Sequence, residues 1–333
     1  MPDIAVITPT YNRAALLPAA LDSVLAQTVL SQGRSIEIAV IDDGSTDDTP
    51  QVMQPYLAKA HAAGNAVVHY TRLARQGVVA ARNTAIAQTT APLIAFLDSD
   101  DYWHPRKIEQ QLAFLETDPR IGVVHTSFRY VDGAGRCTDD GPERPDNPCV
   151  GDCVNVLLDE FLVLFSSVLM RRSIVEAAAQ AEPHAQPFDS RFTNAQDYDL
   201  MLRAARLCRF AYVPEALTYY RQHGAHGAMG NLKKAYGFHS QVQIEFVRRY
   251  GSQIGVDEAD ARRRAARFLL GRAQAAFWRR QLNTTVELCD LAVELGVADA
   301  HFTALRRRAA MPGAAWTYKA KDALDRLLQR GKK

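Results

Sequence analysis

The stretch Ile4-Ala5-Val6-Ile7-Thr8-Pro9-Thr10-Tyr11-Asn12-Arg13 decides the fold. Its first five residues are apolar or β-branched and read as a buried strand. The turn after it is unusual for a strand that opens an α/β domain: no glycine stands between Pro9 and Arg13. A dinucleotide-binding domain would need a G-x-G-x-x-G turn here, so the segment argues strongly against a nicotinamide or flavin Rossmann domain. A G-x-x-x-x-G-K-[ST] phosphate loop is also missing.

Outward from that strand the pattern alternates. A helix is expected over 16–27 and a strand over 36–41, then a helix over 46–63 behind a Ser/Thr/Asp cap cluster. Strands come next at 66–71 and 93–97, separated by a helix at 77–88. A helix at 103–116 carries Pro105 in its first turn, and a strand spans 121–125. This β-α-β-α order predicts an α/β fold, a mostly parallel sheet with helices on both faces. Residues 131–155 read as a long loop and 165–171 as a strand. A helix at 197–208 and strands at 210–213 and 216–220 complete this part. From about 231 the strand signal stops, and helices are expected at 231–250, 257–278, 283–295, 298–309 and 315–330. The expected domains are therefore 1–228 and an all-helical, basic 229–333, divided where Gly224, Gly227 and Gly230 cluster.

Charge divides at the same place. The 333 residues have a formal net charge of +2. Residues 231–333 hold 20 Lys and Arg against 10 Asp and Glu, whereas 1–230 hold 19 against 27. An acidic body with a basic end suggests two segments with different jobs. The basic clusters at Arg262-Arg263-Arg264, Arg279-Arg280, Arg306-Arg307-Arg308 and Lys332-Lys333 have two readings. They are solvated helix faces, or they attract the chain to an anionic membrane surface. Nucleic acid is not expected as a partner, because no reading module or aromatic stacking platform accompanies the charge.

No secretory signal is visible, and the most apolar stretch, 161–170, is about half the roughly 20 residues that a membrane span needs. The five cysteines are an odd number, which suits reduced thiols. Cys149 and Cys153 are the one close pair, but a zinc site needs two further spaced ligands that are not evident. The expected location is the cytoplasm, with peripheral contact at the inner face of the membrane under the second reading of the basic clusters.

Ligands of open α/β sheets bind beyond the carboxyl ends of the strands, and acidic residues concentrate there. Asp42-Asp43-Gly44-Ser45-Thr46-Asp47 follows the second strand. It can act as a turn and helix cap, or as a carboxylate accepting a base N–H or ribose hydroxyls. Asp98-Ser99-Asp100-Asp101 follows the fourth strand. Three carboxylates in four residues repel one another without a cation, and oxygen-only ligands suit Mg²⁺ or Mn²⁺.

In order along the chain stand Val6–Arg13, Val40–Asp47, Gly77-Val78-Val79-Ala80-Ala81-Arg82-Asn83 and Phe96–Trp103. Together these four motifs closely resemble the family 2 inverting glycosyltransferases, which have the GT-A fold. The resemblance covers about 2–225 and leaves out the helical end. It implies that Pro9, Thr10, Tyr11, Arg13 and Asp43 lie at the nucleotide of a nucleotide-sugar, UDP being favoured, with Asp42 nearby. Gly77, Arg82 and Asn83 would belong to the loop and helix that close over nucleoside and sugar. Asp98 and Ser99 would lie near ribose and sugar, Asp100 would bind the divalent metal, and Asp101 would stand behind them. Arg82 is equally open to a salt bridge with one of these aspartates.

The family's catalytic base sits in a Glu-Asp pair that opens a Leu-x-Leu-Arg helix. The matching segment is Gln196-Asp197-Tyr198-Asp199-Leu200-Met201-Leu202-Arg203. Asp197 is kept as the implied general base, Gln196 replaces the Glu, and Asp199 is the second choice. Tyr219-Tyr220-Arg221-Gln222-His223 resembles the family's Tyr-Arg-x-His segment, which implies Arg221 and the metal ligand His223 near the diphosphate. The expected reaction transfers a sugar with inversion to a hydroxyl of a glycan or lipid-linked glycan. A nucleotidyltransferase and a degenerate, non-catalytic scaffold are the competing readings. The first lacks its Gly-rich basic loop, and the second is opposed by the intact aspartates.

Overall fold

The computed structural model describes residues 1–62, 65–138, 147, 149–222 and 232–311. The chain divides into two compact units, Met1–Gly227 and Ala228–Lys333.

The first unit is built on one sheet. Its strands are β1 (Ile4–Thr10), β2 (Ile36–Asp42), β3 (Ala66–Arg72), β4 (Leu93–Phe96), β5 (Tyr102–Trp103), β6 (Ile121–Val131), β7 (Leu169–Arg171) and β8 (Arg209–Arg221). Their order is β3-β2-β1-β4-β7-β6-β8-β5. The pairs β3/β2, β2/β1, β1/β4 and β6/β8 are parallel. The pairs β4/β7, β7/β6 and β8/β5 are antiparallel. All seven residues of β1 and all seven of β2 are buried. Burial on both faces is why these strands read as unbroken apolar runs. In register, Thr10 lies beside Asp42 and Ile7 beside Phe96. The three acidic or polar strand ends of the sequence motifs therefore share one edge of the sheet.

Helices α1 (Leu17–Leu25), α2 (Thr28–Ser31), α3 (Thr49–Ala62), α4 (Val78–Ala87), α5 (Lys107–Thr117), α6 (Val154–Asp159), α7 (Arg172–Gln180) and α8 (Gln196–Ala205) complete the unit. The core joins Ile4, Val6, Ile38 and Val40 of the sheet to Leu17, Leu21, Val24, Met53 and Ile108 of the helices.

Several sequence expectations need correction. Trp103 does not open a helix. It is drawn into β5 opposite Thr218, and α5 starts only at Lys107. The strand expected at 121–125 continues to Val131, because β8 offers partners along its whole length. The two strands expected at 210–213 and 216–220 are one strand. Pro214 and Glu215 bulge out of it, so that Val213 faces Thr126 and Ala216 faces Ser127. Residues Phe165–Ser167 form a 3₁₀ turn in place of the start of a strand. Helices α6 and α7 have no counterpart among the elements expected from sequence.

The second unit contains α9 (Leu232–Ile254), α10 (Glu258–Trp278), α11 (Leu282–Glu294) and α12 (Ala300–Ala309). Asp257 caps α10 through Asp260 N–H, and Asp299 caps α12 through His301 and Phe302 N–H. The core of this unit is Ile244, Leu269, Phe277, Leu288, Leu291 and Phe302. The helix expected at 315–330 lies outside the described residues. Several cations of the basic clusters have carboxylate partners. Arg262 pairs with Glu258, Arg263 and Arg264 with Asp260, and Arg306 with Asp290. Among the described residues no helix is long and apolar enough to cross a membrane.

Candidate functional site

Backbone geometry at the end of β1 fixes the first wall. Asn12 has φ 50°, and its side-chain oxygen accepts from Thr46 N–H at 2.8 Å. Its own N–H donates to Ser45 Oγ at 2.9 Å. The ends of β1 and β2 are thereby tied together. Tyr11 stands half-exposed on this wall with the Arg75 guanidinium 4.0 Å from its ring centroid. Pro9 and Thr10 are buried beside it, and Thr10 Oγ1 has no hydrogen-bond partner.

The two aspartates after β2 separate by role. Asp42 is fully buried, accepting from Ser45 N–H at 2.8 Å and from the Tyr70 hydroxyl at 2.7 Å. With no exposed surface it shapes the turn and does not face a ligand, which corrects its placement at the nucleotide. Asp43 accepts from Gln76 N–H at 2.6 Å and Gly77 N–H at 2.8 Å. It sets the loop that enters α4. Gly77 needs to be glycine because its φ is 93°, a value that side-chain-bearing residues rarely adopt.

The turn after β4 is the acidic centre. Asp98 N–H donates to Ser166 Oγ, and the Ser166 hydroxyl donates to Asp101 at 2.5 Å. Ser99 and Asp101 are buried. Burial, with the charges of Asp100 and Asp98, pushes the Asp101 carboxyl well above the usual carboxylate range. Asp100 is about one-fifth exposed and meets Arg13 Nε at 3.5 Å. Among the described residues no group of three possible metal ligands is assembled. His223 lies outside the described residues.

Arg221 also departs from expectation. It is buried, and its Nε donates to the Asp100 carbonyl at 2.9 Å. Its Nη1 donates to the carbonyls of Asp132 and Gly133, and its own N–H donates to Asp101 Oδ1 at 3.0 Å. These contacts make it a strut under the acidic turn and take it away from a diphosphate.

Arg82 and Asn83 project from α4 in different ways. Arg82 Nη2 donates to Asp98 Oδ1 at 2.7 Å, so the salt-bridge alternative is the one realised. The guanidinium rests 4.7 Å from the Phe165 ring centroid and 5.6 Å from that of Phe188. Asn83 exchanges two hydrogen bonds with the backbone of Phe188, at 2.9 and 3.0 Å, and thus pins the loop that carries this ring.

Asp197 lies in the first turn of α8, where the helix dipole favours a carboxylate. It accepts from Tyr198 N–H at 2.9 Å. Desolvation raises its pKa, the nearby Arg82 charge opposes that rise, and Asp98 adds to it. Asp199 is unlike it. Arg203, fully buried, grips Asp199 at 2.6 and 3.1 Å, which removes the second choice from contention as a base. Gln196 is buried with its Oε1 unpartnered. A Glu here would place a charge in the same unpartnered position.

The site thus brings together the Arg82–Asp98 ion pair, Asp197 within electrostatic reach of both, and Asp100, which meets Arg13 from the end of β1. Sequence reasoning missed Phe165, Ser166 and Phe188, which lie in no motif and arrive from two separate loops. It also passed over Phe128, Tyr130 and Tyr220, although the two-residue spacing of Phe128 and Tyr130 places them on one strand face.

A model of "Glycosyl transferase family 2" matches residues 5–176. An uncharacterized glycosyltransferase of Nostoc sp. is 29% identical over 257 residues, 74% of each chain. The chondroitin synthase of Escherichia coli is 26% identical over 251 residues. That match takes in 75% of this chain but only 33% of the synthase. Among solved structures, S. aureus TarS 1–349 in complex with UDP-GlcNAc aligns with a TM-score of 0.65 at 18% identity. The alignment covers 92% of this chain and 84% of that one. The mannosyltransferase PcManGT of Pyrobaculum calidifontis, in complex with GDP-Man and Mn²⁺, aligns with a TM-score of 0.57 at 18% identity, covering 97% and 80%. At such identities the structural likeness concerns the fold alone.

Proposed function

The chain belongs to glycosyl transferase family 2, and on that premise we propose that it is an inverting transferase. It moves a sugar from a nucleotide-diphosphate sugar to a hydroxyl of a glycan or lipid-linked glycan. Its fold is GT-A with a helical C-terminal region. UDP is the favoured nucleotide because TarS was solved with UDP and with UDP-GlcNAc. Polysaccharide synthesis fits the chondroitin synthase relative.

One observation carries the reading. Asp197, raised in pKa by desolvation, lies within electrostatic reach of Arg82 and of Asp98, the residue of the acidic strand end that Arg82 binds. A carboxylate with a raised pKa is a stronger base, which supports Asp197 as the group that takes the acceptor's proton. The acceptor O–H transfers its proton to Asp197 as its oxygen bonds to the anomeric carbon. The bond from that carbon to the diphosphate oxygen breaks on the opposite face, and the configuration inverts. A double displacement would need a second free carboxylate near Asp197, whereas Asp199 is engaged by Arg203 and Asp98 by Arg82.

Tyr11, Pro9, Thr10 and Asp43 frame the nucleotide, and Gly77 lets α4 begin beneath it. Ser99, Arg82 and Asn83 support the sugar side, the last through the Phe188 loop. A divalent cation, Mn²⁺ or Mg²⁺, fits the donor set. The turn offers hard carboxylate oxygens at Asp100, and Mg²⁺-type sites take one or two carboxylates plus substrate phosphates. Bound there, it would neutralise charge developing on the leaving diphosphate. His223 is proposed as a further ligand. The carboxylate partners of Arg262, Arg263, Arg264 and Arg306 favour solvated helix faces over membrane attraction for that part of the basic region.

A panel of UDP-, GDP- and dTDP-sugars, assayed with Mn²⁺ and Mg²⁺, tests the proposal. Metal-dependent release of nucleotide diphosphate is expected from at least one donor. No release, and no metal-dependent nucleotide binding across the panel, would favour the non-catalytic scaffold.

A further inference from the structure

Beside the acidic turn the sheet presents three aromatic rings that the transfer chemistry leaves unused. Phe128 and Tyr130 lie two residues apart on β6, and Tyr220 faces Tyr130 across the β6/β8 ladder. Their ring centroids are 5.5 Å apart for Phe128–Tyr130, 5.7 Å for Tyr130–Tyr220 and 6.3 Å for Phe128–Tyr220, all edge-to-face. All three are half-buried. Core aromatics of this unit, such as Phe96, Phe188 and Phe210, are covered almost completely. The cluster is therefore an apolar surface that the fold leaves partly open.

Its position is set by Arg221, the next residue along β8. Arg221 N–H is bonded to Asp101 and Arg221 Nε to the Asp100 carbonyl, so Tyr220 is held one residue from the acidic turn. The charges of Asp101, Asp100 and Asp98 reach its phenol and, after burial, help push its pKa up to about 12. The neighbouring Tyr219 turns the other way and stacks on Tyr102 at 4.6 Å. Strand alternation thus gives two aromatic groups different tasks: Tyr102 and Tyr219 pack on one face, and Phe128, Tyr130 and Tyr220 share the other.

We propose that Phe128, Tyr130 and Tyr220 form a subsite for a sugar ring of the acceptor glycan, next to the Asp98–Asp101 turn. This rests on the transferase reading of the same site. The occupant is set by the chemistry of the patch. An apolar protein segment laid on these rings would bring uncompensated surface towards the partly exposed Asp98 and Asp100 carboxylates and strip their water. A pyranose has a C–H face that packs on aromatic rings and a rim of hydroxyls that donates to carboxylates and phenols. Aromatic side chains with an apolar body and a polar tip suit such a half-wet ligand.

Saturation-transfer NMR on the full chain with UDP and Mn²⁺ tests the subsite. The probes are chitotriose, a neutral oligosaccharide, and a hyaluronan tetrasaccharide, an anionic one. Transfer to the ring protons of at least one probe is expected in the unaltered protein. Tyr130→Phe and Tyr220→Phe should keep it, because the ring faces remain. Tyr130→Ala and Tyr220→Ala should reduce it at least fivefold while UDP affinity, measured by calorimetry, changes less than twofold. The subsite is refuted by no transfer to either probe, or by undiminished transfer in both alanine variants. Parallel loss of UDP binding in those variants also refutes it, since the rings would then merely hold the fold. Failure of the unaltered protein to bind UDP, GDP and dTDP alike would instead count against the transferase reading itself.

Discussion

Arg82 Nη2 donates to Asp98 Oδ1 at 2.7 Å while its guanidinium lies against the rings of Phe165 and Phe188. The pair is asymmetric. The Arg82 side chain is 4% exposed and that of Asp98 is 39%. Arg82 Nε and Nη1 have no hydrogen-bond partner, so Asp98 and the ring faces are what hold this buried cation.

Removing the anion should therefore hurt more than removing the cation. Asp98→Asn strands a buried guanidinium and is expected to cost about 3 kcal/mol of stability. Arg82→Met puts an apolar chain against two phenyl rings and leaves Asp98 to water, at a cost of about 1 kcal/mol or less. Urea unfolding midpoints of the two variants decide this; equal losses would contradict the asymmetry.

The same guanidinium should set the acidic limb of activity. Burial raises the pKa of Asp197 and Arg82 opposes the rise. A general base works ionised, so turnover falls as the pH drops through that raised pKa. Arg82→Met removes the opposing charge and should move the limb to higher pH. Gln196→Glu, which adds a negative charge next to Asp197, should move it in the same direction. Profiles of kcat against pH for the three proteins test both shifts. A limb at the same pH in all three would show that Asp197 is not the group observed.

Gly77→Ala should cost about 1–3 kcal/mol through backbone strain. No neighbour lies within 4 Å of the added Cβ, so the penalty is conformational and not steric. Because Gly77 N–H is bonded to Asp43, UDP affinity should fall about tenfold, which calorimetry would detect.

Lys107 is fully buried against Trp103, its Nζ donating to Gln111 Oε1 at 2.7 Å, and desolvation lowers its pKa well below 10.5. Between that lowered value and the unfolded value the unfolded chain binds more protons, so stability rises with pH. Below the folded pKa both states are protonated and the slope vanishes. Relative to Lys107→Met, the unaltered protein should gain stability between pH 7 and pH 9. Urea unfolding of both at the two pH values measures it, and a constant difference would contradict the burial of a neutral amine.

The strand ends were legible in the sequence because buried parallel strands leave few alternatives for their polar termini. Pro9–Arg13, Asp43 and Asp98–Asp101 converge for that reason. The sequence could not show what each carboxylate holds, since Asp43 is buried too and fixes the loop into α4. Asp42 and Asp43 are adjacent and chemically identical, and only the Tyr70 hydroxyl and the Ser45 N–H reveal that Asp42 is sealed. Arg221 misleads in the same manner, since a buried strut and a phosphate ligand call for the same residue type. Trp103 reads as helical because a helical pattern begins nearby at Lys107, while the pairing that captures it comes from Thr218, 115 positions later. Phe165 and Phe188 are out of reach, because side chains that come together from separate loops leave no local pattern.

Turnover by Asp197→Asn tests the central assignment most directly. The measurement is sugar transfer from the donor identified in the panel, with nucleotide binding followed in parallel. Transfer should fall by about 10²–10⁴-fold, the range that general-base catalysis contributes, while UDP binding with Mn²⁺ persists. Turnover equal to that of the unaltered protein would contradict Asp197 as the base.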